Sequence, residues 1–343
     1  MNSFNKLTQP CNTVSSSAPY GFEPATGLIL GNACNLTYLQ YAHGDAALSE
    51  SLISQTMGID GTFTQIGKGF TTSESIGTGT TANMAGDYRT VPIGFAMNYT
   101  SLDGNGGFNI IALRGTRTYQ EWINDAEAIP AFWHVGNNNG DYYDEATLKG
   151  FGMVHGGFYH LYNAGSNGQI PVKTKHDLWF KYEYSRPEGA IAQAIQQVCA
   201  AFDSNLPLYI TGHSLGAGLA VICAMDVGVN YPSCYASGQL NMWNLAGPLV
   251  AAGIELESHS FSPDVFVNQY ANYVDSSFRI VNAADIVPIS PPTSVGNAEL
   301  SLNFAHVTDN TLTYCDQTGS IGGNHACTTN YLAYLKNLAQ GFS

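Results

Sequence analysis

Hydrophobic residues recur with two periodicities along the chain, and these predict its strands and helices. Residues 91–99 (VPIGFAMNY) and 108–116 (FNIIALRGT) are apolar runs of strand length, and the Asp-Gly-Asn-Gly-Gly cluster between them is typical of a hairpin turn. Residues 189–202 (GAIAQAIQQVCAAF) repeat apolar positions at helical spacing and lead into another strand-like run, 208–213. The pattern therefore predicts a hairpin followed, further along the chain, by a helix and a strand.

The second half of the chain continues this alternation. Residues 240–247 (LNMWNLAG) and 278–285 (FRIVNAAD) are strand-like, and residues 330–340 (NYLAYLKNLAQ) have the pattern of a C-terminal helix. Strands that alternate with helices predict an α/β protein with a mainly parallel sheet covered on both faces. No internal repeat and no linker is visible, so we expect residues 1–343 to form a single domain.

The first quarter of the chain has weaker patterns. Residues 1–33 are rich in Pro, Ser and Gly, which favours an irregular N-terminal arm. Apolar positions at helical spacing over 34–57 predict a helix, and the glycine- and threonine-rich stretch 67–87 is expected to be a loop.

Composition and charge narrow the possible functions. The chain is 44% hydrophobic and 11% charged, which indicates a globular protein with a large core. A formal net charge of −14 would repel phosphate backbones, so nucleic acid is excluded as a partner. No run approaches the roughly 20 apolar residues of a transmembrane helix.

The sequence gives no indication of the oligomeric state and only weak indications of localisation. The first 22 residues lack the apolar region of a signal peptide. The low charge content and the many neutral polar residues nevertheless favour an extracellular setting.

The seven cysteines contain no C-x-x-C pair. Cys199 and Cys223 lie in apolar helical runs, where buried free thiols are expected. Cys315 and Cys327 bracket a glycine-rich loop, and spacing alone leaves open whether they form a disulfide. With His325 these two cysteines still lack a fourth zinc ligand, so a zinc site is not favoured.

The most informative chemical motif is GHSLG at residues 212–216, a G-x-S-x-G sequence between a strand and a helix of small residues. This context predicts a sharp turn that strains the backbone of Ser214 and raises its hydroxyl above the carboxyl edge of the sheet. Glycines at 212 and 216 remove Cβ atoms that would collide in so tight a turn. The N-terminus of the following helix points amide groups at the serine, where they can stabilise an oxyanion.

A serine nucleophile needs a histidine base held by a carboxylate, and in this type of fold the chain order is Ser, acid, His. Asp285 follows a strand and precedes a proline-rich loop, so it is the favoured acid. His325 lies between a glycine-rich loop and the last helix and is the favoured base. The other acids and histidines beyond Ser214 are less favourably placed, namely Asp226, Asp264, Asp275, Asp309, His259 and His306.

Several separated motifs, in order, resemble the fungal-type, or class 3, triacylglycerol lipase family. The resemblance covers roughly residues 90–335 and is carried by IIALRGT, EWINDA, VHGGFYHLY, ITGHSLGAGLA, NLAGPLV, FRIVNAADIVPISPP and FAHV. It implies an α/β-hydrolase fold with a helical lid over the active site. It also implies a structural role for His155 in the VHGGF motif.

The resemblance places Ser214, Asp285 and His325 on the catalytic triad of the family. It implies an oxyanion hole formed by the backbone amides of Thr116, which follows the Arg-Gly pair, and Leu215. One departure concerns the aromatic residue that the family carries shortly after its catalytic histidine, because the next aromatic residue here is Tyr331, six positions after His325.

The substrate-binding residues are predicted mainly from the candidate lid at 116–128. Tyr119, Trp122 and Ile123 have i, i+3, i+4 spacing and form an apolar stripe, which is either the underside of a mobile lid or a fixed part of the core. We also expect the substrate to contact three residues near the triad, which are His213, Pro288 and Ile289.

These features predict a serine hydrolase that cleaves carboxylic esters through an acyl-enzyme. Acyl transfer through a serine needs neither a metal nor an organic cofactor. An apolar lid favours water-insoluble esters, so the first hypothesis is a triacylglycerol lipase acting on acylglycerol at an oil–water interface. The alternative is a carboxylesterase of feruloyl or phospholipase type that acts on more soluble or polar esters. A catalytically silent protein that binds lipid through the same cleft is the third hypothesis.

Overall fold

The computed structural model describes residues 18–44, 47–75, 88–104, 106–115, 130–133, 150–163, 191–256, 259–296 and 300–341. The strands are β1 (Thr62–Ser75), β2 (Tyr88–Thr100), β3 (Gly107–Leu113), β4 (Pro130–Phe132), β5 (Met153–His155), β6 (Leu208–His213), β7 (Leu240–Leu245), β8 (Ala251–Leu256), β9 (His259–Phe261), β10 (Ser276–Asn282), β11 (Ser294–Gly296), β12 (Leu300–Ala305) and β13 (Thr311–Tyr314). The α-helices are α1 (Pro24–His43), α2 (Glu50–Met57), α3 (Gly156–Asn163), α4 (Ile191–Cys199), α5 (Leu215–Asn230), α6 (Asp264–Tyr273), α7 (Ile321–Asn324) and α8 (Leu332–Ala339).

A seven-stranded sheet in the order β1-β2-β3-β6-β7-β10-β13 forms the centre of the fold. Strands β3, β6, β7, β10 and β13 pair in parallel with one another in this order. Strands β2 and β3 form the predicted antiparallel hairpin, and β1 pairs antiparallel with β2. The α/β-hydrolase prediction, with a mainly parallel sheet, is confirmed by this topology. The parallel strands end at one edge, and Ser214 and Asp285 both follow strands that end there.

Helices cover both faces of this sheet because the side chains of its strands alternate between two cores. In β3, Ile110 and Ala112 pack in the core that also holds residues of α1 and α8. Ile111 and Leu113 belong to the opposite core, with residues of α4 and α5. Strands buried on both faces explain why the sequence shows continuous apolar runs rather than polar alternation. None of the helices in the described ranges is both long and apolar enough to cross a bilayer.

The prediction of an irregular arm over residues 1–33 is wrong for its last part, because α1 begins at Pro24. The glycines of this stretch favour a loop in isolation, yet they let α1 approach α8 closely. A Cβ on Gly31 would lie 2.9 Å from a methyl group of Leu335. Packing between helices therefore overrides the local helix propensity.

Two other predicted boundaries differ from the structure. The helix predicted over 34–57 is divided into α1 and α2, because Gly44 adopts φ +69° and ends α1. The stretch 67–87, predicted as a loop, contains the end of β1, which continues to Ser75 through a register shift between Ile66 and Phe70. Residues 76–87 lie outside the described ranges.

A second, antiparallel sheet was not predicted from the sequence. Its strands run in the order β11-β12-β8-β5-β4, and β9 pairs with β8. The sheet encloses a small apolar cluster that includes Phe132, Met153 and Phe304. It fixes the end of β5, where the VHGGF motif begins.

His155 at the end of β5 is buried in this part of the fold and has a structural environment. Its ring stacks on Phe158 at a centroid distance of 4.3 Å. Neither ring nitrogen has a hydrogen-bond partner in the described structure. Burial lowers the pKa of His155 to about 4, so its imidazole is neutral at pH 7.

We expect His155→Phe to reduce the sensitivity of the fold to acid. The unfolded imidazole gains its proton near pH 6.5 and the folded one only near pH 4, so wild-type stability falls as the pH falls through this window. The difference amounts to about 3 kcal/mol, which phenylalanine removes while it keeps the stacking on Phe158. Urea unfolding at pH 7 and pH 4.5 measures the effect. An equal loss of stability in both proteins on acidification would contradict this prediction.

Candidate active site

Ser214 lies at the turn between β6 and α5 in a strained conformation, with φ +61° and ψ −129°. Positive φ is unfavourable for any residue with a Cβ, and such strain is found mainly at functional sites. A Cβ on Gly212 would overlap the carbonyl of Gly216, and a Cβ on Gly216 would overlap the carbonyl of Leu113. The two glycines of the motif are therefore required by the close backbone contacts that the sequence predicts.

The end of β3 passes beside Ser214. A Cβ on Gly115 would lie 2.7 Å from the carbonyl oxygen of His213 and 2.9 Å from the Cβ of Ser214. Leu215 opens α5, and its backbone lies at the N-terminal end of that helix. Thr116 itself lies outside the described residues, so its role in the oxyanion hole stays a prediction.

Asp285 and His325 form a hydrogen-bonded pair, with Asp285 Oδ2 2.7 Å from His325 Nδ1. The carboxylate is fully buried and also accepts bonds from the hydroxyl of Tyr331 at 2.8 Å and from the amide of Val287 at 3.0 Å. A carboxylate only accepts, so the proton of the neutral ring lies on Nδ1 and the lone pair on Nε2. This tautomer is the one that a general base requires.

Tyr331 explains the apparent departure from the family pattern. Residues Cys327–Tyr331 form a π-helical turn, which lets an aromatic side chain six positions after His325 reach the buried carboxylate. The Tyr331 ring also packs against His213, at a centroid distance of 5.6 Å. The sequence shows the aromatic residue but not the wider helical turn that brings it into contact.

His213, predicted to contact the substrate, has both ring nitrogens in hydrogen bonds within the protein. Its Nε2 lies 2.9 Å from the carbonyl oxygen of His325 and must donate to it, so Nδ1 accepts from the hydroxyl of Tyr38 at 2.7 Å. Burial and the neighbouring His325 lower the pKa of His213 well below its usual value. His213 is therefore a neutral link between α1 and the His325 loop. Tyr38 was not identified from the sequence, where nothing marks it as close to the triad.

A cleft of about 480 Å³ opens above Ser214 and His325. Its described walls come from the end of α1 (Tyr38, Tyr41 and Ala42), from His213, and from α7 and the segment after it (Gly322, Ala326, Cys327, Thr328 and Thr329). The guanidinium of Arg114 is buried and lies over the Tyr41 ring, 4.0 Å from its centroid. Arg114 itself does not line the cleft, and the described lining residues include no lysine, arginine, aspartate or glutamate.

Other predicted substrate contacts fall in different places. Pro288 is buried and Ile289 is 47% exposed, and neither lines the described cleft. Tyr119, Trp122 and Ile123 lie outside the described residues together with the candidate lid. The lid and its substrate contacts stay predictions.

The less favoured aspartates and histidines that the structure describes lie in surroundings different from those of Asp285 and His325. Asp226 accepts from the hydroxyl of Tyr162, and Asp275 accepts from a backbone amide. His306 is in contact with Arg279 and the carbonyl of Pro288. Asp264 and Asp309 are exposed to solvent. The side chain of His259 lies outside the described part of the structure.

The cysteines show no Cys315–Cys327 disulfide. Cys315 is disulfide-bonded, whereas Cys327 has a free thiol, so the partner of Cys315 lies outside the described residues. Cys199 and Cys223 are buried free thiols, which confirms the prediction for both. Among the described residues, no group of histidine, cysteine and acidic side chains could hold a metal ion.

Curated relatives and solved structures are similar to parts of this chain. "Phospholipase A1-II 7" of Oryza sativa subsp. indica is 23% identical over 57% of this chain and 44% of its own length. "Phospholipase A1-II 3" of the same organism is 28% identical over 54% of this chain and 39% of its own. The chain thus spans about two fifths of the length of these relatives.

Among solved structures, a deletion mutant of the Rhizomucor miehei lipase in complex with its propeptide matches with a TM-score of 0.47 at 16% identity, covering 96% of this chain and 87% of that one. The lipase from Rhizopus microsporus var. chinensis matches with a TM-score of 0.45 at 16% identity, covering 86% and 85%.

The family profile described as Lipase (class 3) matches residues 110–295, which is more than half of the chain. The matched region contains the strained Ser214 and the buried Asp285, and His325 follows it. On the strength of this match, the protein belongs to the class 3 lipase family.

Proposed function

We propose that this protein is a serine hydrolase of carboxylic esters and that triacylglycerol is its main substrate. The observation that carries the proposal is the 2.7 Å bond between Asp285 and His325 in a cleft that also contains the strained Ser214. These are the three groups that acyl transfer through a serine requires.

In the proposed mechanism, Nε2 of His325 takes the proton of the Ser214 hydroxyl as the oxygen attacks the ester carbonyl. The backbone amides of Thr116 and Leu215 stabilise the oxyanion of the tetrahedral intermediate. When the intermediate collapses, the protonated His325 gives its proton to the leaving alcohol. Water then gives a proton to His325 as it attacks the acyl carbonyl, and His325 returns that proton to the Oγ of Ser214 as the fatty acid leaves.

The neutral walls of the cleft support an acylglycerol over a phospholipid. The alcohol leaves toward His325, because this residue protonates it, so it meets the walls formed by α1 and residues 326–329. These walls carry tyrosine and threonine hydroxyl groups and no lysine or arginine side chain among the described residues. A phosphate placed there would meet no compensating cation among the described lining residues, in a protein with a net charge of −14.

Phospholipase A1 activity is the second candidate function, because the curated relatives carry that name. A carboxylesterase for soluble esters would use the same triad. These candidates differ in the alcohol and in the physical state of the substrate, and the predicted lid at 116–128 would decide access to the cleft.

A substrate panel distinguishes the candidates. Acid release is titrated from emulsified long-chain triacylglycerol, from phosphatidylcholine vesicles and from a soluble short-chain ester, and a fluorophosphonate probe reports whether Ser214 is reactive. We expect labelling of the folded protein but not of the heat-unfolded control, with the highest rate on the triacylglycerol emulsion.

The other outcomes assign the remaining functions. A higher rate on phosphatidylcholine would establish the phospholipase, and hydrolysis of the soluble ester alone would establish the esterase. A folded protein that is neither labelled nor active would be a lipid-binding member of the fold.

A further inference from the structure

Two buried asparagine side chains connect the segment that carries Asp285 to the segment that carries His325. Asn282 ends β10, and Asn324 directly precedes His325. Asn282 Nδ2 donates to the carbonyl of Asn324 at 3.0 Å, and Asn324 Nδ2 donates to the carbonyl of Ala284 at 2.9 Å. The first bond ends on the carbonyl of the residue before His325, and the second ends on the carbonyl of the residue before Asp285. We call this pair of bonds the amide clasp.

The remaining bonds of these side chains fix their orientation. Asn324 Oδ1 accepts from the backbone amide of Thr318 at 2.8 Å and from its hydroxyl at 2.9 Å. Two donors therefore face this atom, which identifies it as the oxygen. Asn282 Oδ1 likewise accepts from the amides of Ala284 and Asp316, at 3.1 Å and 3.0 Å. Neither amide can rotate by 180° without placing donors against donors.

The amide clasp acts where the triad depends on the geometry of two separate loops. Asp285 and His325 are 40 residues apart in the chain, and their bond requires Oδ2 and Nδ1 to stay 2.7 Å apart. Two buried bonds from side-chain amides to the backbones beside Asp285 and His325 limit the relative motion of the two loops. A displacement of about 1 Å at a reacting group costs up to 10²-fold in rate.

We propose that Asn324 is a positioning residue, which sets the distance between Asp285 and His325 through the amide clasp. Its effect on catalysis rests on the proposed function. Asn324 touches neither the cleft described above nor the reacting atoms, so it acts through the backbone of Ala284 and His325.

The test compares Asn324→Ala with Thr318→Val. The first variant removes the donor to Ala284, whereas the second removes only a hydroxyl that binds the opposite side of the same amide. Thr318 is exposed, so its variant is a matched control for a local change near α7. Asn282 is unsuitable because it is fully buried and its side chain makes five hydrogen bonds.

We expect Asn324→Ala to lower kcat by about 10- to 100-fold with little change in KM, and Thr318→Val to retain nearly wild-type kcat. The downfield proton NMR signal of His325 Nδ1–H should shift or broaden in Asn324→Ala alone. Thermal unfolding is measured in parallel, and rates are compared at a temperature at which all proteins are folded. If Asn324→Ala is not folded there, Asn324→Leu, which fills the space of the amide, replaces it.

Unchanged kcat and an unchanged NMR signal in the Asn324 variant would overturn the proposal, as would equal losses in both variants. The NMR signal requires no substrate. An inactive wild type that shows the signal loss only in the Asn324 variant would therefore refute the proposed function while supporting the amide clasp.

Discussion

Ser214→Ala is expected to lower kcat for ester hydrolysis by about 10⁶-fold. The substitution removes the attacking oxygen and leaves the Asp285–His325 pair, whose bond does not involve Ser214. In this variant water must attack the ester directly. The residual rate over the uncatalysed reaction would then come only from substrate binding and from the oxyanion hole. Titration of acid release from the triacylglycerol emulsion measures the loss.

Ser214→Gly is the matched control for the strained backbone of the turn between β6 and α5. Alanine at φ +61° retains the strain of serine, whereas glycine relieves it, so Ser214→Gly should be more stable than Ser214→Ala by about 1 kcal/mol. Both variants should be equally inactive. Substantial ester hydrolysis by either variant would show that another residue is the nucleophile.

The turn at Ser214 could be predicted from the sequence because neighbouring residues in the chain determine its geometry. The glycines at 212 and 216 indicate two close backbone contacts around Ser214. The apolar run before them predicts the strand, and the small residues after them predict the helix. Asp285 is predictable for a related reason, since the ends of parallel strands meet at one edge of the sheet. Local patterns therefore point to Ser214 and Asp285 as the candidate nucleophile and acid.

The supporting interactions could not be predicted because they connect residues that are distant in the chain. Tyr38 on α1 and His213 are separated by 175 positions, and nothing in the sequence around Tyr38 indicates contact with the triad. The second sheet was missed for a different reason. Strands of three residues, such as β4, β5 and β11, are too short to show a periodicity of two.

The start of α1 illustrates how packing reverses a local preference. Gly27 and Gly31 lower helix propensity, yet both lie on the side of α1 that contacts Leu335 of α8. The same helix then carries Tyr38 to His213 and Tyr41 to the wall of the cleft. The glycines that favoured a loop in the sequence are thus what allow α1 to pack closely against α8.

Asp285→Asn is expected to lower kcat by about 10⁴-fold while the protein stays folded. The amide of Val287 donates to Oδ1 of Asp285, so an asparagine here must place its oxygen at that position. Its NH₂ group then occupies the position of Oδ2 and donates to Nδ1 of His325. The proton of the neutral ring moves to Nε2, and His325 can no longer accept the proton of Ser214. Single-turnover rates with a soluble ester, and the rate of fluorophosphonate labelling, should fall together.

Tyr331→Phe separates this effect on the tautomer from the loss of a hydrogen bond. The Tyr331 hydroxyl donates to the same Oδ2 atom and accepts from the backbone amide of Asn282 at 3.1 Å, but its removal leaves the carboxylate and therefore the proton on Nδ1. We expect a loss of about 10-fold, since one hydrogen bond to a charged group contributes about 1.5–3 kcal/mol and only part of it acts through His325. Equal losses in Asp285→Asn and Tyr331→Phe would mean that the orientation of the ring, and not its tautomer, limits catalysis. A rate for Asp285→Asn within tenfold of the wild type would instead exclude Asp285 as the acid of the triad.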